Sequence, residues 1–234
     1  MALALFLAAF PLAAQIPASS LQPFTLKYTV FRNQSELGVA ELKYRQTSPG
    51  NWQLSSYTTA SKGIVSAAGA SVLDLSNLAV RNGNLELFSN RIETKLAWKT
   101  TVKSTALVNA GSAYRFTEAK GTKTVPYTPG LLDQHSLTLA LMADLRAGKK
   151  SGTLVYPIVN KGKREDNTFR IAGTQTLVTS LGKLNTVRVE RVRENPNGKS
   201  TRVWFASDRN FLPVMFQQVD DNGDDVEMRI IAVK

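Results

Sequence analysis

The chain has no cysteine, and it has a single histidine, His135, among its 234 residues. Without cysteine there is no disulfide, and no thiol is present to carry a lipid anchor behind an export signal. The fold therefore depends on its own apolar core. Zinc sites are usually built from cysteine and histidine side chains, and one histidine is too few for such a site. We predict that the protein needs no metal ion and no other cofactor.

Long apolar runs are also missing, except at the start of the chain. Residues 1–14 carry no charge and end in two alanines. This run is shorter than the roughly 20 residues that span a bilayer, and it is typical of a secretory signal, although the usual positive residue before it is missing. We predict a signal peptide over 1–14 with cleavage within 14–19, a linker over 15–23 and a single domain over 24–234. The alternative is a buried N-terminal helix or strand.

Acidic residues are outnumbered, with 18 Asp and Glu against 29 Lys and Arg, which gives a net charge of +11. Such a charge attracts polyanions such as lipopolysaccharide, anionic lipids, peptidoglycan or nucleic acid. The basic residues are scattered, so each small group is interpreted as part of a solvated surface. Because the export signal disfavours nucleic acid, we predict lipid or lipopolysaccharide as partner, with peripheral membrane contact. A protein partner stays open.

Most of the chain shows the alternation of half-buried β-strands. In Phe24–Val30 every second side chain is apolar, and turns such as Asn82-Gly83 and Asn222-Gly223 are typical of tight hairpins. The predicted strands are Phe24–Val30, Gly38–Arg45, Trp52–Thr59, Val72–Leu75, Leu85–Ser89, Arg91–Trp98, Thr101–Val108, Tyr114–Glu118, Gly152–Val159, Asn167–Gly173, Thr176–Ser180, Leu184–Arg193, Ser200–Ala206, Leu212–Val219 and Val226–Val233.

One convincing helix is predicted, over Leu132–Leu145, with Asp133 as its N-cap and Gly148 after its end. A second segment, Lys62–Ala70, is small, apolar and flanked by glycine, which indicates a short helix or a packed loop. Together with the strands, these elements predict a mainly β fold. We expect a strongly curved antiparallel sheet, or an open barrel, wrapped around the helix Asp133 to Leu145.

The helix has an unusually wide apolar face. Leu137, Leu141, Met142 and Leu145 present more apolar surface than contact with one sheet requires. These four residues are therefore our candidate ligand-binding residues, lining a groove for an acyl chain on the concave face of the sheet. The alternative, which is the default for packed interiors, is that they fill a solid core.

No catalytic residues are predicted. Asp133, His135 and Ser136 are too close in sequence to form a catalytic triad among themselves, and a capped helix start is the simpler interpretation. Partners from elsewhere in the chain stay open. The acidic segment Asp220–Asp225 fits a charged hairpin turn better than a calcium loop. Carboxylates beside Lys or Arg, such as Glu93, Glu165 and Glu190, indicate a solvated strand face.

The three tryptophans, Trp52, Trp98 and Trp204, have two interpretations. They could stack on sugars or line a pocket, but large aromatic side chains more often anchor a core. We predict that they are core anchors.

Several segments together resemble the bacterial "domain of unknown function 3108" family over most of the chain. They are the opening strand FTLKYTV, Trp98 at the end of a strand, VPYTPGLLDQHSLTLALMADL at 125–145, GKLNT from Gly182, VWFASD at 203–208 and Leu212-Pro213-Val214. The resemblance implies a periplasmic, β-rich protein and implies no activity. A likeness to the curved-sheet lipoprotein carriers of the periplasm is one of fold only.

These observations favour a non-enzymatic periplasmic envelope protein that binds an apolar or anionic envelope ligand such as lipid. Two alternatives are left open. One is a hydrolase acting on an envelope polymer through acidic residues that the sequence does not reveal. The other is a structural partner of an envelope complex.

The apolar leader predicts that the N-terminus is removed on export. N-terminal sequencing of the protein recovered from the periplasm should begin between Gln15 and Ser20. Recovery of intact Met1 from the cytoplasm would contradict the prediction.

Overall fold

Fourteen antiparallel strands form one sheet. The computed structural model describes residues 16–108, 111–193 and 197–234, so the predicted signal peptide lies outside the described residues. The strands are β1 (Phe24–Arg32), β2 (Ser35–Ser48), β3 (Asn51–Ala60), β4 (Ser71–Arg81), β5 (Asn84–Leu96), β6 (Lys99–Val108), β7 (Ala113–Glu118), β8 (Gly121–Pro126), β9 (Thr153–Asn160), β10 (Lys163–Thr179), β11 (Gly182–Val192), β12 (Ser200–Ala206), β13 (Leu212–Val219) and β14 (Asp225–Val233). The helices are α1 (Gly63–Ala67) and α2 (Leu137–Arg146), with short 3-10 turns at Ala18–Ser20 and Ser207–Arg209.

The order of the strands is that of two meanders joined side by side. Strands β1 to β8 pair with their neighbours in sequence, and so do β9 to β14. The two meanders meet where β1 pairs with β14, with Tyr28 opposite Ile230. The result is a nearly closed, barrel-like antiparallel sheet, which confirms the predicted mainly β class.

The sheet ends at β8 and β9, and the connection between these two strands contains α2. Leu132, in that connection, forms an isolated parallel bridge with Ile158 of β9. The turn after β9 also approaches β8 closely: a Cβ on Gly162 would lie 2.6 Å from Cβ of Lys123. Because Gly162 also has a φ of 72°, glycine suits this position on both counts.

Alternation places the apolar side chains of each strand on one face, here called the core face. On β1, Leu26, Tyr28 and Val30 are buried there. They belong to a large hydrophobic cluster that also contains the buried residues of α2, namely Leu137, Leu139, Ala140, Leu141, Met142, Ala143 and Leu145. That the sheet wraps around the helix stays a prediction. No described helix is long and apolar enough to cross a membrane.

Helix α2 begins later than predicted. It starts at Leu137 rather than Leu132, and Ser136 occupies the N-cap position without a side-chain cap. The predicted cap, Asp133, instead accepts a hydrogen bond at Oδ1 from the backbone N–H of Ser136, 2.6 Å away. The start is displaced because Leu132 is held in an extended bridge with β9. The short helix α1 confirms the prediction for Lys62–Ala70.

Three strand predictions were wrong in detail. The pairs of strands predicted on either side of Asn90 and of Thr174 are in each case one long strand, β5 and β10. Strand β10 contains a bulge between Ile171 and Gly173, where its pairing with β11 shifts in register. Strand β8 was not predicted, because its sequence, GTKTVP, is polar and five of its six residues are exposed. It is an edge strand.

The tryptophans differ from one another. Trp204 is buried, as predicted for a core anchor, and Trp52 is half-buried and stacks on Tyr44 with 4.9 Å between ring centroids. Trp98 is not a core anchor, since 96% of it is exposed. It lies in the tight turn between β5 and β6, where a side chain points away from both strands.

The segment before β1, expected to be a linker, packs against the rest of the chain. Ile16 and Leu21 are buried in the main cluster. The carbonyl of Ile16 accepts a hydrogen bond from the N–H of Leu85, 2.8 Å away. Arg146, at the end of α2, donates hydrogen bonds to the carbonyls of Ser20 and Asn210. The residues just before β1 are therefore part of the folded structure.

Replacing Leu141 with Ala should lower the free energy of unfolding by about 2–5 kcal/mol, because Leu141 is buried in the main cluster. Denaturant unfolding measures this loss. Val178→Ala is the control, since Val178 is 82% exposed. Two results together would instead indicate the predicted acyl-chain groove at α2. One is a small loss of unfolding free energy for Leu141→Ala. The other is saturable binding of a fluorescent fatty acid that differs between the native protein and the variant.

Candidate functional site

The core face changes from apolar to polar across strands β4 to β6. Ser76, Asn90 and Thr105 lie side by side in one cross-strand row and are buried. The same row continues to Leu54 on one side and Phe116 on the other. Burying polar side chains in a core is costly unless they are hydrogen-bonded, so a polar patch in this place requires explanation.

The loop before α2 brings three more polar residues to this patch. The bridge between Leu132 and Ile158 fixes the loop against β9. The Asp133 N–H then donates to Ser136 Oγ (3.1 Å), and the Ser136 N–H donates back to Asp133 Oδ1 (2.6 Å). This reciprocal pair holds the turn that contains Gln134 and His135, in the manner of a capping box.

Ser76 is the centre of the hydrogen-bond network. Its hydroxyl donates to Asp133 Oδ2 at 2.6 Å. Its oxygen lies 3.1 Å from His135 Nδ1 and 3.4 Å from the side-chain nitrogen of Asn90. Asn90 donates more strongly to Asp74 Oδ1, at 2.7 Å. One serine thus joins two strands to the loop before α2.

The hydrogen bonds of Ser76 favour a proton on Nδ1 of His135. Because the Ser76 hydroxyl donates to Asp133, a proton on Nδ1 can donate to the Ser76 oxygen, and Nδ1 also faces Asp74 Oδ1 at 3.6 Å. In the neutral Nδ1–H tautomer, the other ring nitrogen, Nε2, is an acceptor, and it is buried with no hydrogen-bond partner among the described residues.

In the part of the chain that the structure describes, His135 forms no serine-based catalytic triad. A nucleophilic serine must be accessible and must give its proton to histidine, whereas Ser76 is fully buried and donates to Asp133. The open question of partners for His135 is thereby answered: they are Ser76 and Asp74, and they form a structural network rather than a nucleophile with its base.

A cavity of about 190 Å³ adjoins this network. Its lining combines carboxylates, amides, hydroxyls and two lysines with a few apolar side chains: Asp74, Asn90, Ile92, Thr94, Thr101, Lys103, Thr105, Phe116, Asp133, Gln134, His135, Val159, Asn160 and Lys161. Nζ of Lys103 lies 4.0 Å from Oε2 of Glu118. Lys161 has no ion pair among the described residues. The cavity therefore offers acceptors and cations together.

Asp74 is held in an unfavourable environment for a charge. Burial raises the pKa of its carboxyl group above the usual range, and the neighbouring Asp133 adds to the rise. His135 and the hydrogen bond from Asn90 act in the opposite direction, but they do not outweigh burial. A perturbed carboxyl group beside a cavity is typical of functional sites.

The four residues predicted to bind ligand are not at this cavity. Leu137, Leu141, Met142 and Leu145 are all buried in the main hydrophobic cluster, and none of them lines the cavity beside His135. Their ligand-binding role stays a prediction. The structure brings together a different set of residues, of which the sequence had drawn attention only to Asp133 and His135.

A second cavity, of about 410 Å³, is mostly apolar and lies among β1, β13, β14 and the end of β10. Its single charged lining residue, Arg229, already donates to Glu227 and lies 4.4 Å above the Phe31 ring. The acidic turn Asp220–Asp225 is stabilised internally and by Arg32, which bonds Asp224. Within the described ranges, no three His, Cys, Asp or Glu side chains are arranged to hold a metal ion.

A family model described as "Protein of unknown function (DUF3108)" matches residues 27–231. The chain belongs to the DUF3108 family. The match runs from β1 to β14 and so includes the strand pair that joins the two meanders. It confirms the resemblance seen in the sequence, and a DUF3108 assignment by itself brings no activity. Among curated proteins, none matches this chain.

One solved structure supports the fold of this DUF3108 protein. A β-barrel-like protein of the domain of unknown function DUF1849, from Brucella abortus, is 10% identical, with a TM-score of 0.57 over 91% of this chain and 97% of that one. A candidate lipoprotein from Parabacteroides distasonis and a candidate exported protein with a YmcC-like fold from Bacteroides fragilis are also 10% identical. Each of these two matches covers 92% of this chain and 96% of the matched chain, and the TM-scores are 0.32 and 0.33. Scores this low support no conclusion about the DUF3108 chain.

Asp74→Asn should stabilise the protein at pH 7. Because the pKa of Asp74 is raised in the folded state, ionisation there costs stability as the pH rises above the unfolded value, near 3.8. Thermal melts should show a higher melting temperature for the variant at pH 7, and a difference that shrinks towards pH 3.8 and below.

Asp224→Asn is the matched control, and at pH 7 it should lower the stability of the protein rather than raise it. Hydrogen bonds from Arg32 and Asn33 lower the pKa of Asp224, so its charge stabilises the folded state at pH 7 and the benefit is lost as the pH falls. Destabilisation by Asp74→Asn at pH 7 would show that the ionised carboxylate is needed for the fold.

Proposed function

We propose that the protein is a non-enzymatic periplasmic protein of the cell envelope, exported by a cleaved signal peptide, and that it binds a lipid headgroup in the cavity beside His135. The class of headgroup that fits best is zwitterionic, with an ammonium group and a phosphate, as in ethanolamine phospholipids.

The observation that carries the proposal is the placement of opposite charges on one cavity. Asp74 and Lys103 belong to one cross-strand row, separated by Ile92. Two strand spacings put their Cα atoms about 10 Å apart. An ammonium group near Asp74 and a phosphate near Lys103 and Lys161 would each meet a group of opposite charge.

The hydrogen-bonding capacity of the site points the same way. An ammonium group has three donors and needs acceptors. The site offers the carboxylate of Asp74 and the unpartnered Nε2 of His135. A purely anionic headgroup would leave Nε2 of His135 without a donor and would place its own charge beside the Asp74 carboxylate, which is unfavourable in a partly buried site.

The size of the cavity limits the ligand. A volume of about 190 Å³ is smaller than the roughly 300–1,000 Å³ of pockets that hold drug-sized ligands, so the cavity suits only a small group. A phosphate with a short amine fits, whereas long acyl chains do not. We therefore propose that the acyl chains stay outside this cavity, and that the net charge of +11 helps to concentrate the protein at anionic membranes.

A hydrolase is the second candidate, and one observation favours it. Asp74 combines a raised pKa with His135 Nδ1 at 3.6 Å from its Oδ1, so a carboxyl group that holds its proton more tightly than usual and an imidazole share one cavity wall. Such a pair could serve acid–base chemistry on an envelope polymer. Turnover of peptidoglycan fragments that is lost in Asp74→Asn would support the hydrolase over the binding protein.

Titration calorimetry with glycerophosphoethanolamine tests the binding proposal. We expect saturable binding that weakens about ten- to a hundredfold in Asp74→Asn, because a charge-assisted hydrogen bond contributes about 1.5–3 kcal/mol. The Asp224→Asn variant should bind like the native protein, because Asp224 is a half-buried carboxylate in the β13–β14 turn and does not line the cavity.

Two partial ligands sharpen the result. Glycerol phosphate lacks the ammonium group and ethanolamine lacks the phosphate, so each should bind more weakly than the complete headgroup. The zwitterionic assignment would be overturned if the native protein bound glycerol phosphate as tightly as the complete headgroup and Asp74→Asn bound glycerol phosphate with the same affinity.

A further inference from the structure

The turn between β5 and β6 carries an exposed apolar tip. Trp98 is 96% exposed and Leu96 is 52% exposed, so neither contributes to the core. Exposing a tryptophan almost completely to water has a cost that the fold does not require, and such residues mark contact surfaces.

The turn itself does not explain the choice of residues. Hairpin turns favour asparagine and glycine because the backbone enters the left-handed region. The β4–β5 turn follows this rule with Asn82 and Gly83, at φ values of 48° and 77°. The β5–β6 turn instead places Ala97 there, at φ 52°, followed by Trp98. The N–H of Ala97 donates a hydrogen bond to the carbonyl of Ala68, 2.6 Å away.

The charges around the tip are almost all positive. Lys95 and Lys99 flank it directly. Over residues 91–103 the chain has four lysines or arginines and one carboxylate, Glu93. Glu93 is shared by Arg91 at 3.0 Å and Lys95 at 3.5 Å, while Lys99 has no ion pair among the described residues. This combination complements a surface that is anionic outside and apolar beneath.

The tip is continuous with the cavity. The pairing of β5 with β6 is regular from Ser89 to Leu96. Alternation therefore places Leu96 on the same face as Asn90, Ile92 and Thr94, which line the cavity. The β5–β6 hairpin therefore has the tip at one end and residues of the proposed headgroup site along its length. A membrane in contact with the tip would lie next to that hairpin.

We propose that Leu96 and Trp98 insert into the interfacial region of an anionic phospholipid bilayer, with Lys95 and Lys99 at the level of the headgroups. Tryptophan prefers this interface because its ring is apolar and its indole N–H remains hydrated, and each nearby lysine adds attraction to anionic lipids. The assignment deepens the proposed function by naming the surface from which the headgroup would be taken.

Quenching by bromine tests the insertion directly. Vesicles of phosphatidylethanolamine and phosphatidylglycerol with brominated acyl chains should quench the fluorescence of Trp98. In Trp98→Phe the remaining emission comes from Trp52 and Trp204, which are half-buried and buried, and it should be unaffected. Equal quenching in both proteins, or none in either, would overturn the insertion at this turn.

Co-sedimentation with the same vesicles, without bromine, supplies a second readout. The double variant Leu96→Ser/Trp98→Ser should lose about tenfold or more in vesicle affinity. Val178→Ser, which removes a side chain that is 82% exposed elsewhere, is the control and should bind as the native protein does. Phosphatidylcholine vesicles should bind weakly, and added salt should weaken binding to the anionic ones.

The two proposals fail separately. The double variant should still bind soluble glycerophosphoethanolamine, because its substitutions lie outside the cavity lining. Asp74→Asn should still bind vesicles made only of phosphatidylglycerol, because the tip and its lysines are intact. Unchanged vesicle binding by the double variant would overturn the membrane contact whatever the headgroup titration gives. Sedimentation of the native protein by a second protein alone, with no lipid, would identify the tip as a protein contact instead.

Discussion

The pairing of β1 with β14 is the constraint on which the rest of the fold depends. Every other neighbouring pair in the sheet joins strands that follow one another in sequence. Bringing Tyr28 opposite Ile230 closes a loop on the order of 200 residues, at an entropic cost of about 5 kcal/mol. Tyr28 also meets the Phe216 ring at 5.8 Å and donates to the carbonyl of Pro213 at 2.7 Å. These apolar and polar contacts at one junction offset the cost of closure.

Local patterns were sufficient to predict most of the strands, because the residues that determine the pairing of a hairpin lie close together in the sequence. The alternation of apolar residues in β1 and the Asn-Gly turns are examples of such local patterns. Local patterns do not predict structure that depends on contacts between residues far apart in the sequence. The start of α2 depends on Leu132 pairing with Ile158, which no window around Leu132 contains. Strand β8 is specified by its neighbour β7 rather than by its own polar sequence.

The candidate site was harder to predict than the fold, for a related reason. Its residues come from strands β4 to β7, from the loop before α2 and from the end of β9 with the turn after it, and they meet only when the sheet curves. The available signal was the presence of Asp74, Ser76 and Asn90 at core-face positions of their strands. Leucines on both faces of β4 obscured it, because Leu73 and Leu75 alternate with these polar residues. A polar residue on a core face is informative only once the face is known.

The pairing of β1 with β14 extends to the residues beside both strands. The N–H of Thr25 donates to the carbonyl of Lys234, and the N–H of Lys234 donates to the carbonyl of Thr25, at 2.9 and 2.8 Å. Strand β1 is the first of the described strands in sequence and β14 is the last, so β1 keeps an open edge until β14 is available. A chain that folds from its N-terminus onward therefore assembles this junction late. Until then the sheet is incomplete, and an unpaired strand edge such as that of β1 is prone to aggregate.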